Sequence, residues 1–192
     1  MVVRRLMLAA IAAIVLAGAP PHAMADEAAT GPTLIEDFTM QPETRWRFFT
    51  DQVMGGMSTG SVAFTQEDGM AFARMTGQVS TANRGGFIQM RLDLASPPPE
   101  GTTGVRLIVR GNAQRYFVHL RTDGTLLPWQ YYQAGFDVTE SWNEVRLPLD
   151  AFKASGALLR DVPAAASLTS LAVVAFGRDH DARIDVREVA FY

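Results

Sequence analysis

Residues 104–121 read GVRLIVRGNAQRYFVHLR. Two alternating runs flank a Gly-Asn step, and a period of two is the signature of side chains pointing to opposite faces of a β-strand. Val105, Leu107, Val109, Tyr116, Val118 and Leu120 form one apolar set suited to a core. The other set is Arg106, Ile108, Arg110, Arg115, Phe117, His119 and Arg121, and Trp129 and Tyr131 continue it on the next strand. Taken as a pair, the two runs present one face that mixes arginine with aromatic rings. Rings give stacking area and guanidiniums give bidentate donors, so this face suits a sugar, a carboxylate or a partner's peptide. The same residues also suit a solvated outer face with arginine stems lying across the rings.

Working outward, further short β-type runs lie at 61–65, 71–79, 87–94, 129–136, 143–149, 171–176 and 183–192, separated by Gly, Pro, Asn and Asp. Residues 151–154 and 164–168 each have room for one helical turn. There is no internal repeat and no low-complexity stretch. Many short strands with turn chemistry between them predict an all-β sandwich or barrel, and a chain of 192 residues suits one domain. That domain spans 34–192 and follows a polar linker at 26–33.

Residues 1–25 read differently. Arg4 and Arg5 precede an apolar run at 6–17, and Ala23-Met24-Ala25 supplies a cleavage site, which together predict a signal peptide and a mature chain starting near Asp26. The run is too short for a spanning helix, which needs about 20 residues. The expected location is therefore periplasmic or secreted, with no membrane span after cleavage. Losing Arg4 and Arg5 takes the formal net charge from -3 to -5, which argues against non-specific nucleic-acid binding. The chain has no cysteine, which removes disulfides, thiol nucleophiles and cysteine-held metals.

Candidate chemistries are few. Gly56-Met57-Ser58-Thr59-Gly60 matches the G-x-S-x-G elbow, with Asp179 and His180 following in the hydrolase order. The elbow requires a helix after the serine, whereas 61–65 alternates like a strand. His119 and His180 are the only histidines after the signal, too few to hold zinc without carboxylates. Asp179, Asp181 and Asp185 suit either a calcium site or a solvated turn. Lys153 is the only lysine, and no dinucleotide or P-loop motif occurs. No cofactor and no catalytic residue is expected. The two Gly-Gly steps stand out more: Gly55-Gly56 follows Asp51 to Met54, and Gly85-Gly86 follows Asn83-Arg84. Glycine there permits either a tight turn or the close approach of a ligand or another chain.

Residues 46–60, WRFFTDQVMGGMSTG, resemble the signature of the complex I intermediate-associated protein 30 family. Gly77 to Ser80 with Asn83 to Phe87, the 104–121 stretch, WNEVRLPLDAF at 142–152 and the ending at 186–192 are similar to its later blocks. The resemblance covers about 34–192. It implies a galactose-binding-like jelly-roll β-sandwich, a fold that also occurs as carbohydrate-binding modules. Mitochondrial members assist assembly of respiratory complex I and are not known as enzymes. They act on the matrix side, whereas the signal here points outward, so an exported relative meets only the outward surface of such a complex. The family pattern marks Asp51, Gly55, Gly56, Ser58, Asn83, Gly85 and Gly86, to which Arg84 is adjacent. Asp51 and Ser58 also suit the capping of turns.

Two expectations follow. One is an exported assembly or chaperone-like factor that binds a protein partner, such as a respiratory-complex subunit, through a sheet face and the Gly-Gly loops. The other is a carbohydrate- or small-ligand-binding module, with Trp46, Trp129 and Tyr131 stacking on a glycan and Arg110 or Arg121 holding its polar groups.

Overall fold

The computed structural model describes residues 31–192. The expected signal peptide lies outside them. Twelve strands form two antiparallel sheets. They are β1 (Thr33–Glu36), β2 (Trp46–Thr50), β3 (Thr59–Glu67), β4 (Met70–Val79), β5 (Phe87–Asp93), β6 (Gly104–Gly111), β7 (Arg115–Thr122), β8 (Tyr132–Asp137), β9 (Asn143–Pro148), β10 (Lys153–Ala154), β11 (Leu168–Phe176) and β12 (His180–Phe191). The first sheet runs β3-β4-β12-β6-β9, with β1 against β12. The second runs β10-β8-β7-β11-β5-β2. Helical structure among the described residues is limited to short 3-10 turns.

Alternation builds the core. Met75 on β4, Ile88 and Met90 on β5, Leu107 on β6, Val118 and Leu120 on β7, Leu171 and Val173 on β11, and Ile184 on β12 are wholly buried between the sheets. Each such side chain contributes about 1.5–3 kcal/mol by leaving water. Strand β12 carries Ala182, Ile184 and Val186 inward, then breaks register between Val186 and Glu188. The bulge adds one residue, so that Val189 and Phe191 face inward in place of Glu188 and Ala190.

The structure differs from the sequence reading at the decisive stretch. Both alternating runs are strands, and their apolar sets do face the core. They are not partners: β6 pairs with β12 and β9, while β7 pairs with β11 and β8. The 112–114 connection crosses from one sheet to the other, so the polar sides of β6 and β7 lie on opposite outer surfaces. Alternation separates inside from outside but does not name the neighbouring strand. Strands β1, β2 and β10 were not expected, and residues 129–131 lie in a loop ahead of β8. The 164–168 segment holds the 3-10 turn Ala165–Ser167, whereas 151–154 takes only the last residue of the turn Leu149–Ala151 and ends in β10.

Tyr116 ties the sheets together. From β7 its hydroxyl donates to Asn112 Oδ1 (2.7 Å) and accepts from the Arg183 amide of β12 (2.7 Å). Burial pushes its pKa up to about 12, so the phenol stays a donor.

Candidate functional site

Four arginines on the outer surface of the first sheet, Arg74, Arg106, Arg110 and Arg146, are paired with carboxylates. Asp185, 1% exposed, accepts both ends of the Arg74 fork (Nε and Nη2, each 2.7 Å) and Arg110 Nε (2.8 Å). Burial alone would raise the Asp185 pKa, but these two guanidiniums hold it below the usual carboxylate range. Arg110 also bonds Glu67 and lies over Trp142, 4.6 Å from the ring centroid. Arg106 is held by Glu144 and Glu188. Paired charges of this kind, gathered around the buried Asp185, occupy guanidinium donors that a ligand would otherwise use. Arg110, expected beside His119 and Arg121, belongs to this other surface.

The two Gly-Gly steps form a lock around one carboxylate. Asp51 is fully buried at the end of β2 and accepts from the Ser58 amide (2.9 Å), Ser58 Oγ (2.5 Å), the Gly86 amide (2.5 Å) and the Phe87 amide (3.2 Å). Desolvation opposes ionisation, yet the donors outweigh it and the Asp51 pKa is lowered. A Cβ at Gly56 would stand 2.3 Å from Asp51 Cγ, and one at Gly85 would stand 2.4 Å from Asp51 Oδ2. Both glycines are therefore required by the close approach of the carboxylate. Gly55 turns the chain at φ 87°, and Asn83 and Arg84 take left-handed conformations at φ 55° and 61°. Ser58 is buried and also accepts from the Ser80 amide (2.9 Å). Asp51 and Ser58, read from sequence as candidate binding residues, are engaged inside the protein, and the signature block fixes three chain segments.

The elbow motif dissolves in the same geometry. Ser58 Oγ donates to Asp51, while His180 Nδ1 donates to the Arg178 carbonyl (2.8 Å). Strand β3 follows Ser58, not a helix. Two of the three aspartates considered for calcium point to different partners: Asp179 accepts from Thr81 and Asp185 from arginines. Among the described residues no group of three His, Asp or Glu side chains is placed to hold a metal. Trp46 is also displaced from its expected role. It faces inward from β2, 3% exposed, with its indole N–H on Glu36 Oε2 (2.9 Å), and offers no stacking surface.

The outer surface of the second sheet is different. Register sets Arg47, Arg91, Ala172, His119, Gln133 and Lys153 in one row across β2, β5, β11, β7, β8 and β10. The next row carries Phe49, Gln89, Val174 and Phe117. His119 stacks on Tyr131, with centroids 4.0 Å apart and planes 7° apart, and Phe176 meets both rings edge-on. Burial drives the His119 pKa down to about 4, and its Nε2–H donates to Gln133 Oε1 (2.8 Å), so the ring is neutral near pH 7. Arg47, Phe49, Arg91 and Phe176 were not singled out in the sequence. The alternation in WRFFT at 46–50 and FIQMRLD at 87–93 carried the signal for the first three.

One loop projects beside this surface. Arg121 turns its guanidinium onto the 123–131 segment, with Nη2 donating to the Thr125 carbonyl (2.8 Å) and the Leu127 carbonyl (3.1 Å) and Nη1 to the Pro128 carbonyl (3.3 Å). Gln130 Oε1 accepts the Leu127 amide (3.0 Å), and Ser155 Oγ donates to the Trp129 carbonyl (3.2 Å). The clamped loop holds Leu126 at 83% and Trp129 at 66% exposure. His119 and Tyr131 are thus brought together, while Arg121, two residues along β7 from His119, is bonded to the loop that carries Trp129.

A comparison with curated proteins finds no match. Among solved structures, the fold is similar to the family 11 carbohydrate-binding module of a cellulosomal cellulase of Clostridium thermocellum. The TM-score is 0.69 at 10% identity over 85% of this chain and 95% of that one. The family 11 module of that organism in complex with a β-1,3-1,4-mixed-linked tetrasaccharide gives 0.68 at 10% identity, over 85% and 96%. An exo-β-agarase gives 0.57 at 8% identity, over 83% of this chain and 24% of that enzyme. At such identities the likeness is one of fold, the galactose-binding-like sandwich. The sequence itself matches the model of the complex I intermediate-associated protein 30 (CIA30) family over residues 37–179, a span that contains the Asp51 lock and both Gly-Gly steps. The chain belongs to the complex I intermediate-associated protein 30 family.

Proposed function

We propose that the protein is an exported, non-enzymatic docking factor for a membrane assembly of the respiratory complex I kind, and that it engages a protein partner through the outer surface of the second sheet. Family membership supports the class of role. The observation that carries the choice of surface is the 123–131 loop, which Arg121 holds rigid while Leu126 and Trp129 stay exposed. A tryptophan on a loop whose backbone is already held suits an interface anchor, because less of the loop has to be ordered on binding. On the first sheet's outer surface Arg74, Arg106 and Arg110 are instead tied to carboxylates.

The test is affinity capture of the tagged protein from its native envelope, comparing wild type with a Leu126→Ser, Trp129→Ala variant. The expected result is recovery of respiratory-complex subunits by wild type and their loss in the variant. Recovery of none by either protein overturns the reading.

A second reading, a glycan-binding module, has one observation in its favour: the fold is shared with a module solved with a bound tetrasaccharide. In that reading Trp129 and Tyr131 stack on the sugar and Arg121 supports them. Calorimetry with the mixed-linkage tetrasaccharide decides it, since saturable binding lost in Trp129→Ala favours the module.

A further inference from the structure

The cations of the second sheet's outer surface outnumber its acids. Alternation places Arg47, Arg91, Arg115, Arg121 and Lys153 there against Asp93 and Asp137, on a chain whose formal net charge is -3. Arg91 is incompletely satisfied. Its Nε is shut off from water and has no hydrogen-bond partner among the described residues. The nearest carboxylate, Asp93 Oδ1, stands 3.4 Å away, and the other oxygen of Asp93 is bonded to Arg47. Arg121 cannot relieve the excess, since its donors go to neutral carbonyls. Phe49 packs against the Arg91 guanidinium, 5.0 Å from its ring centroid. The Arg91 side chain is still 24% exposed, so an incoming carboxylate can reach the outer edge of its guanidinium and offset the local positive charge.

We infer that Arg91, with Arg47 and Arg121 around it, is a carboxylate-reading position, and that its occupant is an acidic side chain of the docked protein. This rests on the proposed protein-docking role for the identity of the occupant. The aromatic groups favour a peptide over an acidic sugar: Phe176 meets His119 and Tyr131 edge-on, so the rings pack on one another instead of forming a flat platform. Exposed Leu126 and Trp129 on the neighbouring loop suit the apolar residues that flank an acid in a protein surface.

The test uses the purified full chain and a labelled, end-blocked hexapeptide of alternating leucine and glutamate, followed by fluorescence polarisation at low salt. Saturable binding is expected, weakened roughly tenfold or more both by Arg91→Gln and by replacing the glutamates with glutamine. Asp93→Asn, which frees Arg47 and Arg91, is expected to tighten binding, so the inference does not hang on a variant that fails to fold. Equal binding of the glutamine peptide, unchanged affinity in Arg91→Gln, or tighter binding of a galacturonate oligomer would each overturn it. Envelope capture separates the two proposals. Capture unaffected by Arg91→Gln removes the carboxylate position and leaves the docking role, whereas peptide binding without capture of any respiratory subunit does the reverse.

Discussion

Asp51→Asn keeps the shape of the side chain but points an amide N–H₂ at the amides that the carboxylate now accepts. The expected cost is about 2–4 kcal/mol, read as a lower urea midpoint. Gly85→Ala, whose Cβ would collide with Asp51, is expected to cost a comparable amount alone and much less on an Asp51→Ala background, because the clash and the lock are one interaction. Acid should act on three buried residues in particular. Asp51 and Asp185 have depressed pKa values, so their stabilisation is complete above the unfolded carboxylate range and is lost as pH falls through the folded values. His119 is depressed from 6.5 to about 4, so the unfolded chain binds its proton first, and stability falls from about pH 6.5 down to about pH 4. Its contribution is up to about 3 kcal/mol over that window. Urea midpoints measured from pH 7.5 to 4 should therefore decline, and should decline less in His119→Gln. A flat profile in the wild type would show that His119 is not buried as a neutral ring.

At the scale of the element, the 123–131 loop owes its shape to Arg121. Arg121→Ala is expected to raise amide hydrogen exchange at 124–130 by tenfold or more while leaving β7 and β11 protected; uniform loss of protection would mean that Arg121 supports the whole sheet. Tyr116→Phe tests the tie between sheets. It strips the Arg183 amide and Asn112 of their partner and should cost about 1–3 kcal/mol. The strands were legible where alternation was clean, as in β4 to β7, because a half-buried strand writes its two faces directly into the sequence. Short or signature-bearing strands were not: β2 carries Trp46 and Phe48 inward and Arg47 and Phe49 outward, yet its aromatics read equally well as exposed stacking groups. The Asp51 lock was legible in part, since Gly-Gly steps announce close approach. What approaches is Asp51 itself, a contact across segments that spacing cannot supply.

For the whole molecule, the two outer surfaces have opposite characters, and only the topology separates them. The sequence shows that β6 and β7 each carry arginine outward; it takes the crossing at 112–114 to send Arg110 to the paired surface and Arg121 to the open one. The family assignment was legible in WRFFTDQVMGGMSTG because a lock built from close backbone contacts tolerates few alternatives. The outer surface of the second sheet is less legible, since its parts come from six strands and a loop whose adjacency depends on the fold.

The most direct measurement is photocrosslinking in cells with a benzoyl-phenylalanine placed at Trp129, on the open surface, or at Arg146, on the paired one. A discrete protein adduct from position 129 and none from position 146 is the expected result. Adducts of equal yield from both positions, or an adduct from 146 alone, would contradict the claim that this protein works through the outer surface of its second sheet.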